Sequence, residues 1–205
     1  MPFTIEEGRA AVALARDTLE AHVKGNRFAP HRGLAIFNEK RGVFVTLNKE
    51  ESGTRSLRGC IGYPEPIKPL GEAIEDVTVF ASEDPRFPYA VVPEELGSIV
   101  VEVSILTLPR DLIVPRRRDI PSKIRLGIDG LIVSNAYASG LFLPQVATEQ
   151  GWDQETFVSE ACAKAGLSMD AWLESSTKIQ VFQAEIFAEK SPRGEVVMID
   201  EQAHR

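Results

Sequence analysis

Leu57-Arg58-Gly59-Cys60-Ile61-Gly62 puts two glycines, a cation and a thiol inside a segment that otherwise reads as a β-strand. Glycine in a strand interior costs stability unless a bulge, a bend or a closely approaching group needs the missing side chain. A cysteine is reactive where a neighbouring cation or a helix N-terminus lowers its pKa, and inert where its surroundings are apolar. The segment is therefore either a binding or catalytic edge, or a tightly packed strand that holds a small hydrophobe. Arg58 and Cys60 are two residues apart, so simple alternation sends both side chains to one face. An arginine there is not fully buried without a partner. The shared face lines either a solvent-reachable cleft or an internal salt bridge.

The strand is expected over residues 57–63, ended by Pro64 and Pro66. Upstream, Thr4-Ile5-Glu6-Glu7 has capping-box spacing and opens a helix to about Val23, stopped by Gly25. Strands follow over 33–37 and 43–47, joined by a hairpin loop at 38–42. Pro69 suits the first turn of a second helix with Leu70, Ile74, Val77 and Phe80 on its apolar face. Residues 99–108 alternate as a strong strand. From Pro109 the pattern changes to three short strands, 124–128, 131–134 and 140–143, with Asp129-Gly130 as a hairpin signal. Asp153 caps a helix through Ala165, Ser168 a short one through Leu173, and a last strand spans 179–187. Strands in runs rather than βαβ units give an α+β class with antiparallel sheets. The larger domain is expected at residues 1–112 plus 175–205, with the smaller one inserted at 113–174.

With 205 residues, 43% apolar and 26% charged, the chain has room for one or two compact units. A net charge of −7 argues against a general nucleic-acid or anionic-membrane binder. Arg116-Arg117-Arg118 is the one dense basic run, either a solvated loop or an anion site. No apolar run approaches the roughly 20 residues of a membrane span. The N-terminus turns acidic at once, and two cysteines imply no disulfide framework, so a cytoplasmic, reduced protein is expected.

Phosphate-loop, dinucleotide and nucleophile-elbow motifs are absent. His22, His31 and His204 have no metal-site spacing, so no metal is expected, and the sequence names no cofactor. Cys162 shares a helical face with Phe157, Val158, Ala161 and Ala165 and reads as a core residue. Asp84-Pro85-Arg86-Phe87 is a rigid charged corner. Its plain reading is a stiff turn, with Asp84 accepting backbone N–H bonds and Arg86 pairing a carboxylate. Its functional reading makes Arg86 an anion clamp and Asp84 a general base. Gln145, after Phe142-Leu143-Pro144, is an ordinary strand exit or a domain-edge residue.

Taken in order, Leu57 to Gly62, Asp84-Pro85-Arg86-Phe87, Glu102-Val103-Ser104-Ile105-Leu106, Gly140-Leu141-Phe142-Leu143-Pro144-Gln145-Val146, Gly151-Trp152-Asp153 with Phe157, and Lys164-Ala165-Gly166-Leu167 resemble the AMMECR-type domain family, in the form of a stand-alone archaeal member. The resemblance covers nearly the whole chain. It implies a larger domain built from both chain ends around a five-stranded antiparallel sheet with flanking helices, and a smaller one with a three-stranded sheet. It also implies that Leu57 to Gly62 points toward the cleft between them. Relatives occur fused to or beside Memo-type proteins and radical-SAM enzymes, which suggests partners in that chemistry. Tyr63 stands where many relatives have a small hydroxylated residue.

Two functional readings follow. In the first, the chain is an enzyme or enzyme component: Cys60 is nucleophile or thiol donor, Arg58 holds an anionic group, and Asp84 or Arg86 assists. In the second, it is a protein-interaction or ligand-binding module, in which Gly59 and Gly62 let a partner backbone approach and Arg58 anchors it.

Overall fold

Thr4 opens the first helix through a reciprocal box: the Glu7 N–H donates to Thr4 Oγ1 at 3.2 Å, and the Thr4 N–H donates to the Glu7 carboxylate at 2.8 Å. In this computed structural model, which describes residues 3–27 and 34–199, that helix is α1 (Ile5–Val23). Next come β1 (Val43–Glu51), β2 (Thr54–Tyr63), α2 (Leu70–Ser82) and β3 (Ile99–Leu106). The middle of the chain holds β4 (Arg110–Asp111), β5 (Gly130–Ser134), β6 (Ser139–Phe142), α3 (Gln145–Gln150) and α4 (Gln154–Lys164). β7 (Lys178–Phe182), β8 (Ala184–Glu189) and β9 (Val196–Ile199) complete it. Among the described residues no helix is long and apolar enough to cross a membrane.

The chain forms two units: Met1–Leu106 with Glu185–Arg205, and Thr107–Ala184. The first holds an antiparallel five-stranded sheet in the order β2-β1-β3-β8-β9. Alternate residues Val43, Val45 and Leu47 of β1 and Val101, Val103 and Ile105 of β3 face α1 and α2 in one buried core. Leu70, Ile74 and Val77 join that core from α2, whereas Phe80 is 47% exposed and Ala73 and Ala81 are buried in its stead.

The second unit has a four-stranded sheet, β4-β7-β5-β6, in which three longer strands are joined by the two-residue β4. Because Arg110 and Asp111 pair with Val181 and Gln180, this unit begins and ends further out than residues 113–174. The single strand expected over 179–187 is two strands, β7 in one sheet and β8 in the other, parted at Gln183. There the Thr107 N–H donates to the Gln183 carbonyl and the Gln183 N–H to Thr107 Oγ1, tying the two chain crossings together.

Three other expectations change for local reasons. Ala35–Asn38 is a 3-10 turn that buries Phe37 rather than a strand, and Gly33 lies outside the described residues. A short apolar run carries no periodicity to separate these outcomes. Residues 124–128 are a turn, since Asp129 is not a hairpin residue but a buried acceptor for the Arg125 N–H and guanidinium and for Gln183 Nε2. The hairpin that does form, β5–β6, is closed by Asn135, whose Oδ1 accepts the Tyr137 and Ala138 N–H groups.

The β1–β2 hairpin positions Cys60. Its turn residues Ser52 and Gly53 have φ of +53° and +78°, the doubly positive pair that a two-residue hairpin requires. Pairing runs in step until Asn48 faces Leu57; Leu47 then faces Gly59. Arg58 is thus the extra residue of a β-bulge. A Cβ on Gly59 would lie 2.0 Å from the Ala81 carbonyl oxygen at the end of α2, and one on Gly62 2.5 Å from the Val43 oxygen beneath the Phe44 ring. The close groups that these glycines admit are the chain's own. Gly59→Ala must therefore push α2 off β2 and is expected to lower stability in urea melts by about 3 kcal/mol. Gly97→Ala, where an added Cβ meets nothing within 4 Å, is the control and should change stability by less than about 0.5 kcal/mol.

Candidate functional site around Cys60

β2 is an edge strand, and the backbone of Cys60 is satisfied on its open side by two side chains. The Cys60 N–H donates to Asp84 Oδ2 at 2.9 Å, and Arg86 Nη2 donates to the Cys60 carbonyl at 2.9 Å. Asp84 sits just beyond the end of α2, where its Oδ1 also accepts the Arg86 N–H and Nε, both at 3.0 Å. An unpaired strand edge invites pairing with another chain. Here a carboxylate and a guanidinium take the place of a neighbouring strand for one residue.

The electrostatics follow from this arrangement. The bonded Arg86 guanidinium holds the Asp84 carboxyl far below the usual carboxylate range; burial opposes this, and the Cys60 and Arg86 N–H groups reinforce it. The same bond raises Arg86. Asp84's side chain is wholly buried while Arg86's is 56% exposed, so the pair shows solvent only its cationic side.

Arg58 goes elsewhere. The bulge carries it out of simple alternation, and its Nε and Nη2 form a two-pronged pair with Glu95 at 3.0 and 3.1 Å. Nη2 also donates to the Tyr89 carbonyl, and the guanidinium lies over the Phe87 and Tyr89 rings at 5.4 and 5.2 Å. Both partners are buried, and Arg58 Nη1 has no hydrogen-bond partner, so the ring faces carry part of its charge. Burial works against the Glu95 charge, but bonds from Arg58 and the Val92 N–H prevail and hold its carboxyl below the ordinary range. Of the two outcomes open for Arg58, the internal salt bridge is the one found.

Cys60 itself is half-buried, and Thr46 Oγ1 donates to its sulfur at 3.3 Å. Thr46 stands opposite Cys60 on one side and Glu102 on the other. A thiol, a hydroxyl and a carboxylate therefore form a row across β2, β1 and β3, on the face away from α1 and α2. The other thiol, Cys162, is fully buried with Phe157, Val158 and Ala161, and that burial raises it. Among the described residues no group of three or more His, Cys, Asp or Glu is placed to hold a metal. His22 pairs with Glu83; His31 and His204 lie outside the described residues. Gln145 begins α3.

Of the expected site residues, the structure brings together Cys60, Gly59, Asp84 and Arg86. Glu95 and Thr46 are the partners that sequence reasoning missed. Thr46 was within reach: the Ser52-Gly53 turn sets the hairpin register, and only the bulge shifts its partner from Gly59 to Cys60. Nothing local marks Glu95, an acid in a polar turn.

Because the folded Asp84 carboxyl titrates below the unfolded one, its contribution is complete above the ordinary aspartate value of about 4 and is lost as pH falls toward the folded value. Asp84→Asn should cost about 2–3 kcal/mol at neutral pH. In urea melts that gap should stay constant above about pH 5 and close below about pH 4.

The AMMECR1 family model matches residues 12–187. A protein of Methanothermobacter thermautotrophicus is 50% identical over 191 residues, covering 92% of this chain and 97% of its own. Protein MJ0810 of Methanocaldococcus jannaschii is 48% identical, with 95% and 96% covered. The crystal structure of the uncharacterized protein PH0010 from Pyrococcus horikoshii superposes with a TM-score of 0.76 at 46% identity, covering 95% of this chain and 97% of that one. A match of this extent means that the protein belongs to the AMMECR1 family.

Proposed function

We propose that this protein is a cytoplasmic binding module, and that its recognition surface is the Cys60–Thr46 row flanked by the exposed side of the Arg86 guanidinium. The observation that carries this reading is the use of the motif charges on the protein itself. Both Asp84 oxygens are occupied by donors from Cys60 and Arg86, so Asp84 is committed to the protein itself rather than to a substrate proton. Arg58 spends its charge on Glu95. What stays available is a half-buried thiol beside a hydroxyl, and a guanidinium whose outer donors suit an anionic group on a small molecule or a partner chain. Two unpaired thiols support a reducing compartment.

The rival reading, Cys60 as a nucleophile, needs a base or an activating cation at the sulfur. Alkylation kinetics separate the two. Iodoacetamide should modify Cys60 in the folded protein no faster than it modifies glutathione at the same pH, and Cys162 should react only after unfolding. A rate at Cys60 about tenfold or more above that of glutathione would show an activated nucleophile and replace this reading with the enzyme.

A further inference from the structure

The basic run Arg116-Arg117-Arg118 resolves into three different environments. Arg116 is exposed and pairs with Asp119. Arg118 is exposed. Arg117 turns inward, where its Nε donates to the Trp172 carbonyl at 2.9 Å and its Nη2 to the Thr177 carbonyl at 2.7 Å. Neither acceptor bears a charge, and among the described residues no carboxylate pairs with Arg117. Burial pushes this guanidinium below its ordinary value, as expected for a cation lacking a counter-charge.

Arg117 lines a cavity of about 310 Å³ within the second unit, together with Ser175, Ser176, Lys178, Asp111 and Ile113. That volume is at the lower end for small-molecule sites, above the need of an inorganic ion. The polar groups are donors for the most part. Two guanidinium N–H groups are spent on carbonyls, and an arginine has five. Lys178 Nζ stands 3.0 Å from Asp111 Oδ1, and the same oxygen accepts Gln180 Nε2 at 2.8 Å. The carboxylate in the wall and Lys178 therefore counter one another, and Arg117 is, among the described residues, the lining cation without a carboxylate partner. The Ser176 hydroxyl donates to Glu174, while Ser175 is exposed at the rim. Ile113 is 87% exposed, an unusual position for isoleucine, and supplies an apolar wall next to these donors.

We infer that this cavity binds a small organic phosphate. The phosphoryl oxygens meet Arg117, Lys178 and the Ser175 N–H or hydroxyl, and the organic body lies on Ile113. An uncompensated guanidinium gains its counter-charge, and the exposed isoleucine gains a cover. The site lies in the second unit, apart from the Cys60 row, and stands or falls independently of it.

The test is isothermal titration calorimetry of the full chain with phenyl phosphate, with phenol and benzoate as comparators and amide shifts read by NMR. Expected are binding of phenyl phosphate, silence with phenol, weaker binding of benzoate, and shifts centred on residues 175–178. Lys178→Gln, at a half-exposed position that leaves the fold intact, should weaken binding about tenfold or more, and so should Arg117→Gln. If Arg117→Gln fails to melt cooperatively, Lys178→Gln decides alone. Absence of binding heat at about 10 mM phenyl phosphate, or binding that Lys178→Gln leaves unchanged, overturns the inference. Benzoate binding as tightly as phenyl phosphate would overturn the assignment to phosphate.

Discussion

One carboxylate, Asp84, holds the end of α2 against the edge of the five-stranded sheet, and the geometry around Cys60 depends on it. It accepts the Cys60 N–H with one oxygen and the Arg86 N–H with the other, and it aims the Arg86 guanidinium at the Cys60 carbonyl. Pro85 makes the corner rigid, so the two charges are set at a fixed distance. The close approach this requires is possible because Gly59 has no Cβ to meet the Ala81 oxygen. Glycine, bulge and ion pair are parts of one device: each would be costly alone, and together they close the sheet edge at Cys60 without another strand.

The same economy explains why so polar a motif offers so little free chemistry. Buried charges need partners, and a buried pair broken on one side costs more than it contributes when whole. Arg58 has Glu95 and two aromatic rings; Asp84 has Arg86 and two N–H groups. The thiol is left as the reactive group with a hydroxyl as its neighbour. The structure supplies a physical reason to look first at binding.

Local signals carried much of the fold into the sequence. The Thr4/Glu7 box, Gly25, the Asp153 cap and the alternation in β3 all act within a few residues, and each element formed where those residues placed it. What stayed hidden depended on distant partners. Residues 179–187 show one continuous alternation, yet belong to two sheets because Thr107 bonds Gln183 at the break. Val196–Ile199 is a strand only by pairing with β8. The site was half legible. Glycine in a strand announced a bulge or a close contact, and both exist. The bulge, though, turns Arg58 away from the face that alternation assigns to it, and no local signal says which residue is the extra one.

Amide hydrogen exchange at Cys60 tests the central claim most directly, because that N–H points out of the sheet and is held by the Asp84 carboxylate, whereas the Ile61 N–H points toward β1. With Asp84→Ala, protection at Cys60 should fall about a hundredfold or more while Ile61 and the amides of β1 and β3 keep theirs apart from the change in global stability. Cys60 protection that tracks Ile61 in both proteins would contradict the account, since the edge would then be closed by something other than the Asp84–Arg86 pair.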